Sequence, residues 1–415
     1  MKKSLVAQSL AVLCALFAAA LIVGPGVMSA QDTNIVLNLN NPGIQLMSYA
    51  SETGICQHIY TTGLGYHAAW QSGPLPGALN QGAIVRIGDI DNDGQREVVA
   101  CTSWVTRTIN SKGTRTEYHD FQVFVYKNGH SYAGLPDFQS GALGEKPRMT
   151  INDCFIADVD NLGGPGNPHN ELVLIRSGEV DVWRLEAPQT LENIGAVSQY
   201  NFSIDVGDAD NDGMNEIVVS SMDGPYPVIF KRMGLGWNRI TPNPYGAESM
   251  QIRSAKVRDA DNLTTDGKLD NEIIARGGGG LVVWKFVGGE YKVMFVGEDV
   301  GGGNGIDVWD MDHDGNKEVL LTGSITERKR SVPRLINYSF VGGTYIPIGT
   351  YSSPVAANNN DFVTGDLDSD GINEVAVIPG PNGPSGPLKV LDFSGVDFLT
   401  VYSLTTLFFL KLEIR

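Results

Sequence analysis

The chain has 415 residues and a net charge of −17, from 30 basic and 47 acidic side chains. That length admits several small domains or one large repeat array, and a surface so acidic repels nucleic acid and anionic lipid. With 19% charged residues, 50 glycines and 20 prolines spread along the whole chain, the composition argues against a helical or disordered protein and suits an all-β fold with many turns.

The N-terminus carries Lys2 and Lys3, then an apolar stretch from Leu5 to Val23, then Gly24-Pro25 and Val27-Met28-Ser29-Ala30. These are the basic, apolar and cleavable parts of a secretory signal over 1–30. Cleavage is expected after Ser29 or Ala30. The apolar stretch is longer than most signal cores, so an uncleaved N-terminal anchor is the alternative. Either way the body of the chain, 31–415, is expected to be secreted or held at the cell surface, with no membrane span in the mature chain. Cys14 lies inside the apolar run and is not read as a lipid-attachment site. Beyond the signal only Cys56, Cys101 and Cys154 remain, too few for a disulfide framework; whether two of them pair is left open.

The first strand signal after the signal segment is Ile59-Tyr60 with Gly63 and Gly65-Tyr66, in a first unit of roughly 34–74. Then acid clusters begin. Asp89-x-Asp91-x-Asp93-Gly94-Gln95-x-Glu97 leads into Val98-Val99-Ala100, and Asp208-x-Asp210-x-Asp212-Gly213-Met214-x-Glu216 into Ile217-Val218-Val219. Asp310-x-Asp312-x-Asp314-Gly315-Asn316-x-Glu318 leads into Val319-Leu320-Leu321, and Asp366-x-Asp368-x-Asp370-Gly371-Ile372-x-Glu374 into Val375-Ala376-Val377. Two copies carry insertions: Asp158 and Asp160 run on to Glu171, and Asp259 and Asp261 run through Asp266 to Asp270 and Glu272. The six copies start at 89, 158, 208, 259, 310 and 366, a period near 51 residues after a longer first interval. Between them lie apolar runs ending in an aromatic and a glycine turn, such as Val123–Tyr126 with Gly129 and Val282–Trp284 with Gly288-Gly289. These are hairpin signals. A period of this length with strand flanks and no amphipathic helix predicts an all-β β-propeller, with seven four-stranded blades and six or eight as alternatives. The last segment, Leu404–Arg415, reads as a ring-closing strand that would remove an exposed edge.

The loop spacing has a chemical reading. Calcium takes six to eight oxygens. Acids at positions 1, 3 and 5 fold toward one centre, Gly at 6 allows the sharp turn, the carbonyl at 7 points inward, and an acid at 9 closes the shell. The expected ligands are Asp89, Asp91, Asp93, Gln95 and Glu97; Asp208, Asp210, Asp212, Met214 and Glu216; Asp310, Asp312, Asp314, Asn316 and Glu318; and Asp366, Asp368, Asp370, Ile372 and Glu374. Gln95, Met214, Asn316 and Ile372 would contribute backbone carbonyls. The two inserted copies offer weaker sets, Asp158, Asp160 and Glu171, and Asp259, Asp261 and Asp266 with Asp270 or Glu272. Position 12 is apolar and the flanks are strands, so the loop caps a β-hairpin and is no helix–loop–helix site. Several calcium ions (Ca2+) are expected, four of them in the regular loops, with a mainly structural role.

Asp-x-Asp-x-Asp-Gly-x-x-Glu loops followed by Ile-Val-Val-type strands resemble FG-GAP repeats, also called VCBS repeats, which form the propeller of integrin α-subunits. The resemblance covers about 34–402 and departs from the commoner pattern in closing the loop with Glu. It implies a calcium-stabilised propeller used for adhesion or recognition of an extracellular protein or glycan.

Catalytic signals are scarce. The six histidines, His58, His67, His119, His130, His169 and His313, have no paired metal-ligand spacing, and no Gly-x-Ser-x-Gly elbow, His-Glu-x-x-His or phosphate loop occurs. The expectation is therefore a binding or adhesion module with no catalytic residue. The alternatives are a polysaccharide-acting enzyme with its site on one propeller face, and a structural cell-surface component. Trp70, Trp104, Trp237 and Trp309 are candidates for stacking on sugars, although spread tryptophans more often pack blades. Function is expected near the insertions at Val105–Asp120, 161–170 and 262–270.

Overall fold

A computed structural model describes residues 45–414 except 51–53, 62–64, 73–74, 76–82, 130–135, 144–145, 148–150, 163–168, 177, 186–188, 198–202, 221–223, 247–250, 266–267, 328–329, 353–360, 367–371, 379–387, 394–397 and 405–411. The expected signal segment, Asp266, Asp368 and Asp370 lie outside the described residues. The strands form seven antiparallel sheets, six of four strands and one of five, together with a two-stranded ribbon at Thr264–Thr265 and Lys268–Leu269. This is the expected propeller, and each sheet is one blade.

In blades 2 to 7 the innermost strands are Ala83–Gly88, Ile151–Ala157, Ile204–Gly207, Ile252–Arg258, Ile306–Trp309 and Asp361–Gly365. Each lies beside the inner strands of the blades before and after it. The ring closes through the C-terminus. Leu412–Ile414 pairs with Leu46–Ser48 and forms the inner strand of blade 1, whose other strands are Gln45–Ala50, Gly54–Thr61 and Gly65–Gln71. The ring-closing strand read from the sequence is thus present, and it covers an edge that would otherwise expose unpaired backbone groups.

The apolar triplet after each acid loop has a direct packing reason. In blades 2 to 7 the second strand is buried on both faces where it leaves the loop, so side chains of both parities must be apolar there. Leu172 and Leu174 face blade 2, where they meet Val99, Cys101 and Val123. Val173 and Ile175 face blade 4, where they meet Ile204, Ile217 and Val219. The same alternation joins blades 4 and 5, 5 and 6, and 6 and 7. The core is therefore a set of inter-blade seams. Cys101 and Cys154, both free and buried, lie in the seam between blades 2 and 3.

The channel-facing edge of the inner strands would leave backbone N–H groups unpaired. Buried aspartates of the preceding blade accept some of them: Asp153 from Ile204 at 3.0 Å and Asp205 from Val257 at 2.7 Å. Arg86 and Arg258 balance these carboxylates, at 2.5 and 2.9 Å. Inner strands come so close that a Cβ on Gly207 would sit 2.9 Å from Val257 Cγ1. The insertion at Val105–Asp120 is an outward continuation of one hairpin, Glu97–Ser111 with Thr114–Tyr126, turning at Lys112-Gly113 with φ of 48° and 81°.

Deleting residues 412–415 removes the inner strand of blade 1. Differential scanning calorimetry is expected to show a melting temperature lower by roughly 5 °C or more, since a few kcal/mol moves a domain of this size by several degrees.

Candidate functional site

All six acid loops join the first and second strands of a blade, which places them on one face of the ring. Local hydrogen bonds explain their sequence. Asp208 accepts the N–H groups of Asp212 and Gly213 at 2.9 and 2.7 Å, and Asp212 accepts that of Met214 at 3.0 Å. The loop at Asp89 repeats this arrangement, and in the loop at Asp310 the Asp314 N–H turns to Asp312 instead, at 3.3 Å. Position 4 is left-handed, with φ between 56° and 61° at Asn92, Asn161, Asn211, Asn262 and His313. Asparagine tolerates that region best after glycine.

The closing glutamate uses its extra methylene. Oε2 of Glu97, Glu216 and Glu318 reaches across the loop to accept the position-2 N–H at 2.8–3.0 Å, and Glu171 and Glu272 do so in the inserted copies. All five are buried. Burial, reinforced by the neighbouring aspartates, pushes Glu97, Glu171, Glu216 and Glu272 up to about 7 and Glu318 up to about 8.

Five groups bring three metal-ligating atoms within 4.8 Å of one another: Asp89/Asp91/Glu97, Asp160/His169/Glu171, Asp208/Asp210/Glu216, Asp259/Asp261/Glu272 and Asp310/Asp312/Glu318. These donor sets suit a divalent cation. The structure adds His169, 3.0 Å from Glu171, which sequence spacing had not paired with any ligand. Asp93, Asp212 and Asp314 are exposed and bond to their own turns, and Asp158 accepts from Asn161 N–H at 2.7 Å. Of the ligands expected in the last loop, Asp366, Ile372 and Glu374 are among the described residues.

Two features escaped sequence reasoning. The first is an inter-blade latch. The position-4 Asn of one loop accepts the backbone N–H of position 8 in the next, and the position-8 Asn donates back to the position-1 carbonyl. Asn92 with Asn170, Asn161 with Asn215, and Asn211 with Asn271 form complete pairs, with bonds of 2.6–3.0 Å. The recurrent Asn at positions 4 and 8 was its visible signal. The second is a basic residue inside the loop. Lys231 Nζ lies 2.6 Å from Asp210, 2.6 Å from Asp212 and 3.0 Å from Glu216. Lys285 Nζ lies 2.8, 3.0 and 2.9 Å from Asp261, Asp270 and Glu272. Arg184 bonds Asp160 at 2.8 Å, and Lys127 contacts Asp91. Burial works against the charged ammonium of Lys231 and Lys285, but the surrounding carboxylates win and raise both above the ordinary lysine value.

A cavity of about 180 Å³ opens between blades 5 and 6, lined by Asp261, Glu272, Lys285, Phe295, Phe340 and Tyr345. The Tyr345 hydroxyl is buried and has no hydrogen-bond partner, and burial followed by Glu272 and Asp261 raises it well above the ordinary phenol value. The volume suits a single six-membered ring, given that a cavity of about 150 Å³ holds benzene. Of the tryptophans proposed for sugar stacking, Trp237 is engaged by Arg232 and Glu192, while Trp309 is exposed and bonds Asp307.

No family model and no curated protein matches the chain. Solved structures do overlay on it. A protein described as a 6-phosphogluconolactonase of Bacteroides uniformis is 12% identical, with 90% of this chain and 99% of that chain covered and a TM-score of 0.51. A protein from Lactobacillus plantarum is 11% identical, with 90% and 99% covered and a TM-score of 0.53. The periplasmic gluconolactonase of Pseudomonas aeruginosa is 12% identical, with 89% and 98% covered and a TM-score of 0.52. At such low identity the overlays show a shared fold and nothing more.

The findings correct the family and function expected from sequence. Two of the structures that overlay on this chain carry the names of lactonases, and no FG-GAP or VCBS model matches. The integrin-like adhesion module and the absence of enzymatic activity are both set aside. The physical reason is that an acidic turn closing a β-hairpin is a local solution, reusable at any blade edge, and does not specify what the propeller face does. Among the described residues no helix is long and apolar enough to cross a membrane.

Two outcomes are expected. Asn211→Ala loses three inter-blade hydrogen bonds and strains a left-handed residue, so chemical denaturation is expected to show a loss of roughly 2–3 kcal/mol. The second concerns pH. Glu318 holds its proton to about 8 in the folded chain and releases it near the ordinary value of 4.5 when unfolded. Folded protein then binds more protons between those values, so metal-free stability is expected to fall as pH rises from about 4.5 to about 8. Melting curves in chelator across that range check the sign.

Proposed function

We propose that the protein is an extracytoplasmic propeller hydrolase acting on a sugar-derived lactone, with its site in the cleft between blades 5 and 6. The observation that carries this reading is the convergence in one ring-sized cavity of a carboxyl group, an ammonium and an unpartnered phenol, Glu272, Lys285 and Tyr345. The names of the lactonases that share the fold support the substrate class. Aromatic walls from Phe295 and Phe340 suit the apolar face of a sugar ring.

The chemistry follows from the groups present. Glu272 takes a proton from water as the water oxygen bonds to the lactone carbonyl carbon. The Tyr345 hydroxyl donates to the oxyanion that develops there, and the Lys285 ammonium, its three N–H groups held by Asp261, Asp270 and Glu272, supplies positive charge beside it. Collapse breaks the ring C–O bond, and the proton held by Glu272 passes to the departing alkoxide. Asp261 and Asp270 anchor the Lys285 ammonium at 2.8 and 3.0 Å and keep it aimed. The same trio of acid, lysine and buried tyrosine recurs one blade earlier as Glu216, Lys231 and Tyr291.

Calcium is the proposed ion for the loop at Asp310, Asp312, Asp314, Asn316 and Glu318, because hard oxygen donors suit it and Asp310 Oδ1 is buried without a partner. The loop at Asp366, Asp368, Asp370, Ile372 and Glu374 has the same spacing and is proposed to do likewise. The role of the ion there is to hold the turn.

Aldonolactones offered in a pH-stat are expected to open faster than the uncatalysed rate. Glu272→Gln is expected to lower kcat about 100-fold or more and Tyr345→Phe about 10-fold, with the fold intact by circular dichroism. An unaccelerated reaction across lactones of five- and six-membered rings would sink the reading.

A further inference from the structure

We infer that in blades 2 to 5 the chain itself supplies the cation of the acid loop, so that these four loops take up no metal ion. The loop spacing that suggests calcium puts a positive charge at the meeting point of positions 3, 5 and 9. In blade 4 that point is filled by the Lys231 ammonium, within 3.0 Å of all three carboxylates. In blade 5 the Lys285 ammonium holds it with Asp261, Asp270 and Glu272. In blade 3 the Arg184 guanidinium faces Asp160 at 2.8 Å and Glu171 at 3.6 Å. In blade 2 Lys127 contacts Asp91 and lies 3.5 Å from Asp93.

The strand register makes this a built feature. Lys231 pairs directly across from Glu216. Tyr126, Trp183 and Trp284 pair with Val98, Leu172 and Ile273, which sets Lys127, Arg184 and Lys285 opposite their own closing glutamates. Blades 6 and 7 break the rule. Tyr338 pairs with Val319, so Ser339 faces Glu318, and Asp392 pairs with Glu374.

Competition explains the consequence. A tethered ammonium acts at an effective concentration in the millimolar range or higher. Extracellular calcium modules bind at about 0.1–1 mM. Entry of an ion into the blade 4 loop must also leave Lys231, only 10% exposed, without its three partners in a buried place. The inference uses the calcium reading of the blade 6 loop only as a comparison.

The test is calorimetric titration of calcium into the chelator-stripped full chain, alone and as Lys127→Met and Lys231→Met, with melting temperature followed in parallel. Lys127 is the more exposed of the two, so its variant is the safer folder. The unmodified chain is expected to take up no more than two equivalents. Each folded variant is expected to gain one further equivalent and a calcium-dependent rise in melting temperature of several degrees. Uptake of five or six equivalents by the unmodified chain overturns the inference, as does a folded Lys127→Met that gains none. No uptake by the unmodified chain with a new site in either variant supports the inference and removes the calcium reading of blade 6.

Discussion

Burial of both faces of a blade's second strand is the constraint on which the molecule depends. Among the described residues the apolar clusters lie between blades. Leu172, Val173, Leu174 and Ile175 are all buried because they feed two seams, one toward blade 2 and one toward blade 4. A sheet with two apolar faces is stable only between two others, so the ring must close, and the short strand Leu412–Ile414 closes it. Glycines at the ends of inner strands and the carboxylates of Asp153 and Asp205 then settle the crowded inner edge.

The loop face is organised by the same logic at smaller scale. In five loops the buried glutamate accepts a backbone N–H, and in three of these a basic side chain or histidine stands beside it. Asparagine latches carry the coupling from one blade to the next, so the loops form a belt and not a set of independent turns. Blade 6 is the irregular link: His313 stands at position 4 and Lys317 at position 8, and Asn373 still donates to Asp310 at 2.6 Å. That irregularity coincides with the loss of the basic residue opposite Glu318.

Much of this was legible in the chain. The recurrence of Asp-x-Asp-x-Asp-Gly-x-x-Glu before an apolar triplet announces a hairpin cap and a strand, since glycine after three acids and β-branched residues after a glutamate are local requirements. The last strand was legible because an apolar terminus needs a partner. His169 was not, because its proximity to Glu171 depends on how the inserted loop folds back. The basic residues were visible as aromatic-basic pairs, Tyr126-Lys127, Trp183-Arg184, Phe230-Lys231 and Trp284-Lys285, but their meaning lay in register. Each stands 13 to 30 residues from its glutamate.

The sequence by itself determined the all-β class, the repeat and the turn chemistry, because each is written in spacings no longer than one blade, while the choice of seven blades over six or eight fell to the sheet pairing. Tertiary structure alone decided which charges meet, which tyrosine hydroxyl is left without a partner and where a ring-sized space opens. Those depend on strand pairing and on the fit between neighbouring blades, where residues such as Asp261 and Tyr345 are brought together from opposite sides of a seam. Acidic loops are reusable parts. The function of the face they stand on depends on what surrounds them, and that is settled only when the ring has closed.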